Sequence, residues 1–169
     1  MSNSSLPPGH QPRRILVVDD NEEIHKDFRK VLCPRHSEAG RIAAEADLFG
    51  PPPSGEVEAP PFVVHSALQG RDGADMVANA LQSKEPYAVA FIDMRMPPGW
   101  DGLETILHIV GIDANIEIVI CSAYSDYSRS ELIQRVARPA LQFLPKPFRS
   151  AEVLHLAWTL SHRWLTRRT

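Results

Sequence analysis

The sequence predicts an α/β fold, a doubly wound sheet of five parallel strands with helices on both faces. Two observations lead to this prediction. Apolar runs of strand length alternate with segments whose apolar residues recur at helical spacing, which is typical of repeated strand–helix units. Several of these runs also end in acidic or polar residues, as expected where parallel strands turn their carboxyl ends toward one crevice.

The first two strand–helix units are separated by a proline-rich segment. The run Arg14–Val18 predicts the first strand, and the helix that follows, with acidic residues in its first turn, should end before Pro34. Phe62–Ala67 predicts the second strand, and a helix follows from Asp72 to about Gln82. The residues of these two helices that are expected to face the core are Ile24, Phe28, Val31 and Leu32, then Met76, Val77, Ala80 and Leu81.

Three further units complete the predicted sheet. The third strand ends in Asp93, the fourth in Ser122 and the fifth in a Pro-Lys-Pro turn around Lys146. The runs that predict these strands are Tyr87–Ile92, Ile116–Cys121 and Leu141–Leu144. Asp101 is expected to open a helix after the third strand, and a short helix follows the fourth. The residues of these helices that are expected to be buried are Leu103, Ile106, Leu107 and Val110, then Leu132, Ile133 and Val136.

One domain is expected over residues 13–166, preceded by a disordered leader, residues 1–12. The segment 34–61 contains six prolines and is interpreted as an insertion between the first helix and the second strand. A solvated loop is favoured there over an element that docks a partner, because surface insertions are well tolerated. The last helix, predicted over 150–166, is longer than one sheet can cover, which favours a dimer contact or a connection to a further domain.

The composition is that of a globular protein, with 43% hydrophobic and 23% charged residues. The net charge of −3 gives no indication of direct nucleic-acid binding. Cys33 and Cys121 lie far apart and outside any CxxC motif, which disfavours a disulfide framework or a zinc site. No apolar run approaches the roughly 18 residues of a membrane span, and no signal-peptide pattern opens the chain. A cytoplasmic location without direct membrane contact is therefore expected.

Three carboxylates are predicted to meet at the carboxyl ends of the first and third strands. Asp19 and Asp20 follow the first strand, and Asp93 ends the third. Crowded carboxylates cannot all stay ionised without a compensating cation. Mg²⁺ suits such a site, because it prefers oxygen ligands and typically takes one or two carboxylates together with phosphate oxygens. The sequence therefore predicts a magnesium site that accepts a phosphoryl group.

Each residue of this site has an expected role. Asp20 and Asp93 would bind the metal directly, whereas Asp19 would hold a metal-bound water. The main-chain carbonyl of Arg95 would complete the ligands that the protein supplies. The two side chains expected to contact the phosphoryl group, one as a point charge and one as a hydrogen-bond donor, are Lys146 and Ser122.

Four motifs in this order resemble the receiver domain of two-component response regulators. Each stands at the end of a predicted strand, and they are Ile15–Asp20, Phe91–Pro97, Ser122-Ala123 and Lys146–Phe148. The resemblance covers nearly the whole chain outside the insertion and the termini. It implies a flavodoxin-like fold with the strand order 2-1-3-4-5.

The resemblance also implies a function for the site. Asp93 would be the phosphoacceptor, taking a phosphoryl group from a phosphohistidine on a sensor histidine kinase or a phosphotransfer protein. Mg²⁺ and Lys146 would stabilise the transferring group, and Ser122 would then bind the new phosphate. Phe143 occupies the place of the family's switch aromatic, and the Lys146–Pro147 bond is expected to be cis. Catalysis would go no further than slow Mg²⁺-dependent self-phosphorylation and self-dephosphorylation.

The expected output is a shift between an inactive and an active arrangement. The surface formed by the fourth helix, the fifth strand and the fifth helix would pass the signal to a downstream domain or to a second copy of the chain. The insertion is similar to those of receivers at the front of multidomain sensor kinases, which favours a larger protein over a stand-alone receiver.

Two other functions remain open. A phosphatase of the haloacid-dehalogenase type also uses an Asp nucleophile at a strand end with Mg²⁺, but it normally has a second Asp two residues on, where Arg95 stands here. The other alternative is an interaction module that keeps the receiver fold and no longer needs phosphate. The insertion and the long last helix favour this second alternative.

The loop after Asp93 departs from the usual receiver pattern. It is one residue longer than usual before Asp101, so its shape beside the metal site is expected to differ. Within this loop, Trp100 is interpreted as a cover, while Arg95 and Tyr124 are expected to flank the pocket. The seven histidines form no HxH or HxxxH pair and are expected at the surface or at the rim of the site.

Overall fold

The computed structural model describes residues 11–34, 62–123, 127–138 and 140–168. Within them, five parallel strands form one sheet in the order β2-β1-β3-β4-β5, so the predicted α/β fold and its strand order are confirmed. The strands are β1 Arg13–Val18, β2 Phe62–Ala67, β3 Val89–Asp93, β4 Glu117–Ser122 and β5 Gln142–Pro145. The helices are α1 Glu22–Leu32, α2 Gly70–Gln82, α3 Gly102–Ile112, α4 Arg129–Val136 and α5 Ser150–Arg168.

The described residues on either side of the proline-rich segment lie together at one edge of the sheet, where Cys33 Sγ donates to the Phe62 carbonyl oxygen at 3.3 Å. The chain leaves α1 at Cys33 and returns at Phe62, the first residue of the edge strand β2. Residues 35–61 and 1–10 lie outside the described residues. The leader 1–12, the insertion 34–61 and the domain limits 13–166 therefore stay predictions.

Two apolar layers sandwich the sheet because successive strand residues point to opposite faces. On β1, Ile15 and Val17 belong to the layer that contains Phe28 of α1 and Val153 of α5. The alternate residues of β1, Leu16 and Val18, belong to the layer formed with α2, α3 and α4. A strand that is buried on both faces has to be apolar throughout, which explains the continuous apolar runs of the sequence.

Capping side chains set where several helices begin. Asn21 accepts the N–H of Glu23 at the start of α1, and the side chain of Asp101 accepts the N–H of Glu104 at the start of α3. Helix α4 begins with a reciprocal capping box between Ser128 and Glu131. The loops after β1 and β3 end at the caps of α1 and α3, and the first of these loops contains Asp19 and Asp20.

The predicted buried faces of α2 and α3 are wrong in part. Leu81 and Leu107 were expected in the core but are 39% and 42% exposed, whereas Ile109 is fully buried. Helix α3 is apolar at most of its positions, so the apolar period does not select one face. Leu81 lies in the last turn of α2, and helical spacing gives the direction of a side chain but not the extent of the neighbours that cover it.

The last helix runs through Arg168 and contacts the sheet at β2 and at the start of β4. Trp158 packs edge-on against Phe62 with ring centroids 5.2 Å apart. Near the end of α5, Arg163 and Arg167 pair with the buried carboxylate of Glu117, the first residue of β4. Across the described residues, no helix combines the length and the apolar character that a membrane crossing requires.

Candidate functional site

Three carboxylates meet at the carboxyl edge of the sheet, at the ends of the neighbouring strands β1 and β3. Asp19 and Asp20 follow β1, and Asp93 is the last residue of β3. One carboxylate oxygen from each lies within 4.8 Å of the others, an arrangement that could hold a metal ion. Asp19 is 2% and Asp93 8% exposed, whereas Asp20 faces solvent. A cation arriving from solvent would therefore meet Asp20 first.

Lys146 connects the two buried carboxylates. Its Nζ lies 2.8 Å from Asp19 Oδ2 and 3.1 Å from Asp93 Oδ1. The residue follows β5, and its main-chain N–H donates to the carbonyl oxygen of Ser122 at 2.8 Å, which ties the turn to the end of β4. The Lys146–Pro147 peptide bond is cis. Residues from β1, β3, β4 and β5 are thus brought to one edge of the sheet.

The charges at this edge perturb one another. Burial raises the pKa of Asp93, and the neighbouring charge of Asp19 raises it further against the opposing effect of Lys146 and of the Arg95 main-chain N–H. Burial by itself would lower the pKa of Lys146, but the hydrogen bonds and charges of Asp19 and Asp93 outweigh it, so its pKa is raised. Three carboxylates and one ammonium leave two negative charges when all are ionised. A divalent cation would balance this excess, so the donor set fits such an ion.

Close packing behind Asp93 requires a glycine. A Cβ on Gly102, the first residue of α3, would lie 2.5 Å from the carbonyl oxygen of Asp93 and 2.6 Å from Cα of Met94. The N–H of Gly102 donates to the Met94 carbonyl at 3.1 Å. The start of α3 therefore packs directly against the backbone at the end of β3, where the Asp93 carboxylate lies.

Ser122 and Phe143 lie on the two strands next to this cluster. Ser122 ends β4, half-buried, and stands opposite Pro145 in the register with β5. Phe143, on β5, is half-buried and packs against the layer formed with α2, α3 and α4. The guanidinium carbon of Arg129, the first residue of α4, lies 4.4 Å from its ring centroid. Tyr124, expected to flank the pocket, lies outside the described residues.

The loop between β3 and α3 contains a second cis peptide bond, between Pro97 and Pro98. Trp100 stacks on His108 of α3 with ring centroids 4.0 Å apart, and the guanidinium carbon of Arg71 lies 5.3 Å from the Trp100 ring. Trp100 is therefore anchored against α2 and α3.

His25 is the residue beside the site that sequence reasoning missed. It was expected at the surface or at the rim, but it is 2% exposed, and its Nε2 lies 2.7 Å from the main-chain oxygen of Asp19. The spacing of His25, Phe28 and Leu32 along α1 could have indicated this, because residues three and four apart share one helix face. Because histidine is polar, it is not among the residues expected on the buried face of α1.

The response regulator receiver domain family matches residues 57–157, which is more than half of the chain. The chain therefore belongs to this family. Its parallel sheet of order 2-1-3-4-5, with an acidic cluster at the carboxyl edge, is the arrangement expected of a receiver. The chain is thus a receiver domain of a two-component system.

One curated protein and two solved structures illustrate what the chain is similar to. A protein-glutamate methylesterase/protein-glutamine glutaminase of Rhodospirillum centenum is 27% identical over 86% of this chain, and the chain spans 29% of that relative's length. Among solved structures, a CheY-like receiver from Methanospirillum hungatei has a TM-score of 0.64 at 16% identity, with 93% of this chain and 99% of that one covered. A receiver from Sinorhizobium medicae has a TM-score of 0.61 at 21% identity, with 91% and 98% covered. These two likenesses concern the fold.

Proposed function

We propose that this receiver accepts a phosphoryl group on Asp93 from a phosphohistidine of a sensor histidine kinase or a phosphotransfer protein. The observation that carries the proposal is the Lys146 ammonium, which lies between the buried carboxylates of Asp19 and Asp93 while Asp20 completes the cluster. The family makes phosphoryl transfer the natural chemistry for this arrangement.

Mg²⁺ is the cofactor that the site suits best. The exposed Asp20 and the phosphoacceptor Asp93 would bind it directly, with the main-chain carbonyl of Arg95. Both oxygens of Asp19 already accept hydrogen bonds, Oδ1 from the Asn21 N–H at 2.9 Å and Oδ2 from Lys146. This occupancy suits Asp19 to hold a metal-bound water. When bound, the ion supplies positive charge against the oxygens of the transferring group.

In the transfer, a carboxylate oxygen of Asp93 attacks the phosphorus while the bond from phosphorus to the donor's imidazole nitrogen breaks. The electron pair of that bond stays on the imidazole, and the product is an acyl phosphate. Lys146 needs no movement to oppose the negative charge that gathers on the phosphoryl oxygens, because it already contacts Asp93. The Ser122 hydroxyl would donate to one of those oxygens after transfer.

The output would be a population shift in which the phosphorylated state favours one of two arrangements. Phe143 lacks a hydroxyl, so its part in that shift rests on packing and on its contact with Arg129. The surface formed by α4, β5 and α5 would meet an attached domain or a second copy of the chain.

Receiver domains are generally not enzymes, so the chain's own catalysis would be limited to slow self-phosphorylation and self-dephosphorylation. A cytoplasmic location stays a prediction.

The test is phosphorylation by acetyl phosphate with and without Mg²⁺, followed by intact mass and by hydroxylamine cleavage of the acyl phosphate. Wild type should gain one phosphoryl group only with Mg²⁺, and Asp93→Asn should gain none. Asp27→Asn, which removes an exposed carboxylate of α1, is the matched control and should behave as wild type. Absence of any uptake at saturating donor would defeat the proposal.

The same samples separate the alternatives. Sustained release of phosphate from phosphate esters, dependent on Asp93, would identify a phosphatase of the haloacid-dehalogenase type. Partner binding that is unchanged by Asp93→Ala and by phosphorylation would identify a module that works without phosphate.

A further inference from the structure

We propose that His25 is a positioning residue, which orients the peptide group between Asp19 and Asp20 so that Asp20 can bind the metal. This inference rests on the proposed function and deepens it, because it names a residue on which metal affinity depends although it touches no ligand. It arises from His25, which is the one buried histidine among the described residues and lies beside the acidic cluster.

The hydrogen bond to Asp19 makes one ring nitrogen of His25 a donor. His25 Nε2 lies 2.7 Å from the main-chain oxygen of Asp19. A carbonyl oxygen can only accept, so Nε2 carries a proton and donates it. This carbonyl belongs to the peptide group that links Asp19 to Asp20. The bond therefore fixes the plane of the peptide from which the Asp20 side chain starts.

The other polar groups of Asp19 are held elsewhere. Its N–H donates to the Ala67 carbonyl at 3.1 Å, and its two carboxylate oxygens accept from Asn21 and Lys146. These contacts fix the Asp19 side chain and the amino side of its backbone. Among the described residues, no hydrogen bond holds the exposed carboxylate of Asp20. Its direction therefore depends on the backbone, and His25 holds the backbone at that point.

The second ring nitrogen, Nδ1, indicates that His25 does more than fill space in the core. Nδ1 of His25 is buried without a hydrogen-bond partner among the described residues. A buried polar nitrogen without a partner destabilises a fold, and a Leu or Phe side chain would fill the same space without that penalty. Packing alone therefore does not account for an imidazole here, whereas a donor at Nε2 does.

Three variants separate the hydrogen bond from packing. His25→Leu removes the donor, and His25→Gln keeps a side-chain N–H donor. Val31→Ala removes buried methyl groups from the last turn of the same helix without touching Asp19, and serves as the control for loss of stability alone. If His25→Leu does not fold, His25→Phe, which keeps a ring and lacks the donor, takes its place.

Two measurements are made on the full chain, a Mg²⁺ titration followed by amide NMR signals and the Mg²⁺ dependence of phosphorylation by acetyl phosphate. In His25→Leu both midpoints should move to about 10-fold higher Mg²⁺, the loss typical when a residue that orients a metal ligand is removed. The rate at saturating Mg²⁺ should stay that of wild type. His25→Gln should recover most of the affinity, and Val31→Ala should lose thermal stability and keep the wild-type midpoint.

The outcomes distinguish this inference from the function on which it rests. If wild type binds Mg²⁺ and His25→Leu binds it equally well, the positioning role is overturned while the proposed function stands. Equal shifts in His25→Leu, His25→Gln and Val31→Ala would also overturn it, because they would show a general loss of stability. A wild type that neither binds Mg²⁺ nor is phosphorylated overturns both.

Discussion

Breaking the ion pair between α5 and β4 should destabilise the fold by an amount that depends on which partner is removed. The Glu117 side chain is 5% exposed, whereas those of Arg163 and Arg167 are 33% and 42% exposed. Two contacts come from Arg163, Nε to Oε1 at 2.9 Å and Nη2 to Oε2 at 2.5 Å, and one comes from Arg167 at 3.0 Å. The carboxylate therefore depends on the arginines for its charge balance, while the arginines can reach water.

The magnitudes follow from this asymmetry. Removing one partner of a buried pair costs about 3–5 kcal/mol, and Arg167 would remain to meet part of the charge, so Arg163→Met should cost about 2–3 kcal/mol. Glu117→Gln removes the buried charge itself and leaves guanidinium groups that water can solvate, so it should cost about 1 kcal/mol. The double variant should cost less than the sum of the two single variants.

Urea unfolding of the four proteins in this double-mutant cycle measures these costs. Arg168→Met is the matched control, because the guanidinium of Arg168 lies over the Trp164 ring and not beside Glu117. This variant should change the free energy of unfolding by less than about 1 kcal/mol. The reasoning is refuted if Glu117→Gln destabilises as much as Arg163→Met, or if the two effects are simply additive.

Three further perturbations test other parts of the molecule. Lys146→Met leaves Asp19 and Asp93 buried without their cation, so it should destabilise by about 3 kcal/mol, and Mg²⁺ should restore part of the loss in thermal unfolding. Gly102→Ala places a methyl group 2.5 Å from the Asp93 carbonyl and should cost about 1–3 kcal/mol and slow phosphorylation, with Gly111→Ala, whose Cβ would meet nothing within 4 Å, as control. Burial lowers the pKa of His65, and the charges of Arg14 and Arg29 lower it further. The native state therefore resists protonation, and the stability due to neutral His65 is present above about pH 6.5 and lost as the pH falls toward the folded pKa. His65→Gln should flatten that acid-side decline in urea unfolding, and an unchanged slope would contradict it.

The sheet and the meeting of the carboxylates were predictable because both follow from strand ends. Parallel strands present their carboxyl ends to one edge, so residues that follow apolar runs, such as Asp19, Asp93 and Lys146, converge whatever the details of the loops. Strand order came from the resemblance to receivers and is confirmed. The roles of these residues in phosphoryl transfer stay proposals, because the geometry shows where they lie and not what they do.

Other features could not be read from the pattern. Helix α3 is apolar nearly all round, so no period could choose Ile109 over Leu107 for the core. The polar character of histidine predicts a surface position for His25, whereas its position on α1 is buried. The pairing of Glu117 with Arg163 joins residues 46 positions apart, and it depends on how far α5 extends along the sheet, a distance that local spacing does not contain.

Strand β4 carries one residue of the candidate site at one end and the anchor of α5 at the other. Ser122 ends the strand and Glu117 begins it, and five steps of about 3.3 Å place their Cα atoms roughly 17 Å apart. The interior of β4 is buried throughout, so the strand holds its shape between these ends. Breaking the ion pair should therefore loosen the end of α5 and leave acceptance of the phosphoryl group on Asp93 unchanged. If Arg163→Met also slowed phosphorylation at saturating Mg²⁺, the two ends of β4 would be coupled, and α5 could not be treated as a separately anchored element.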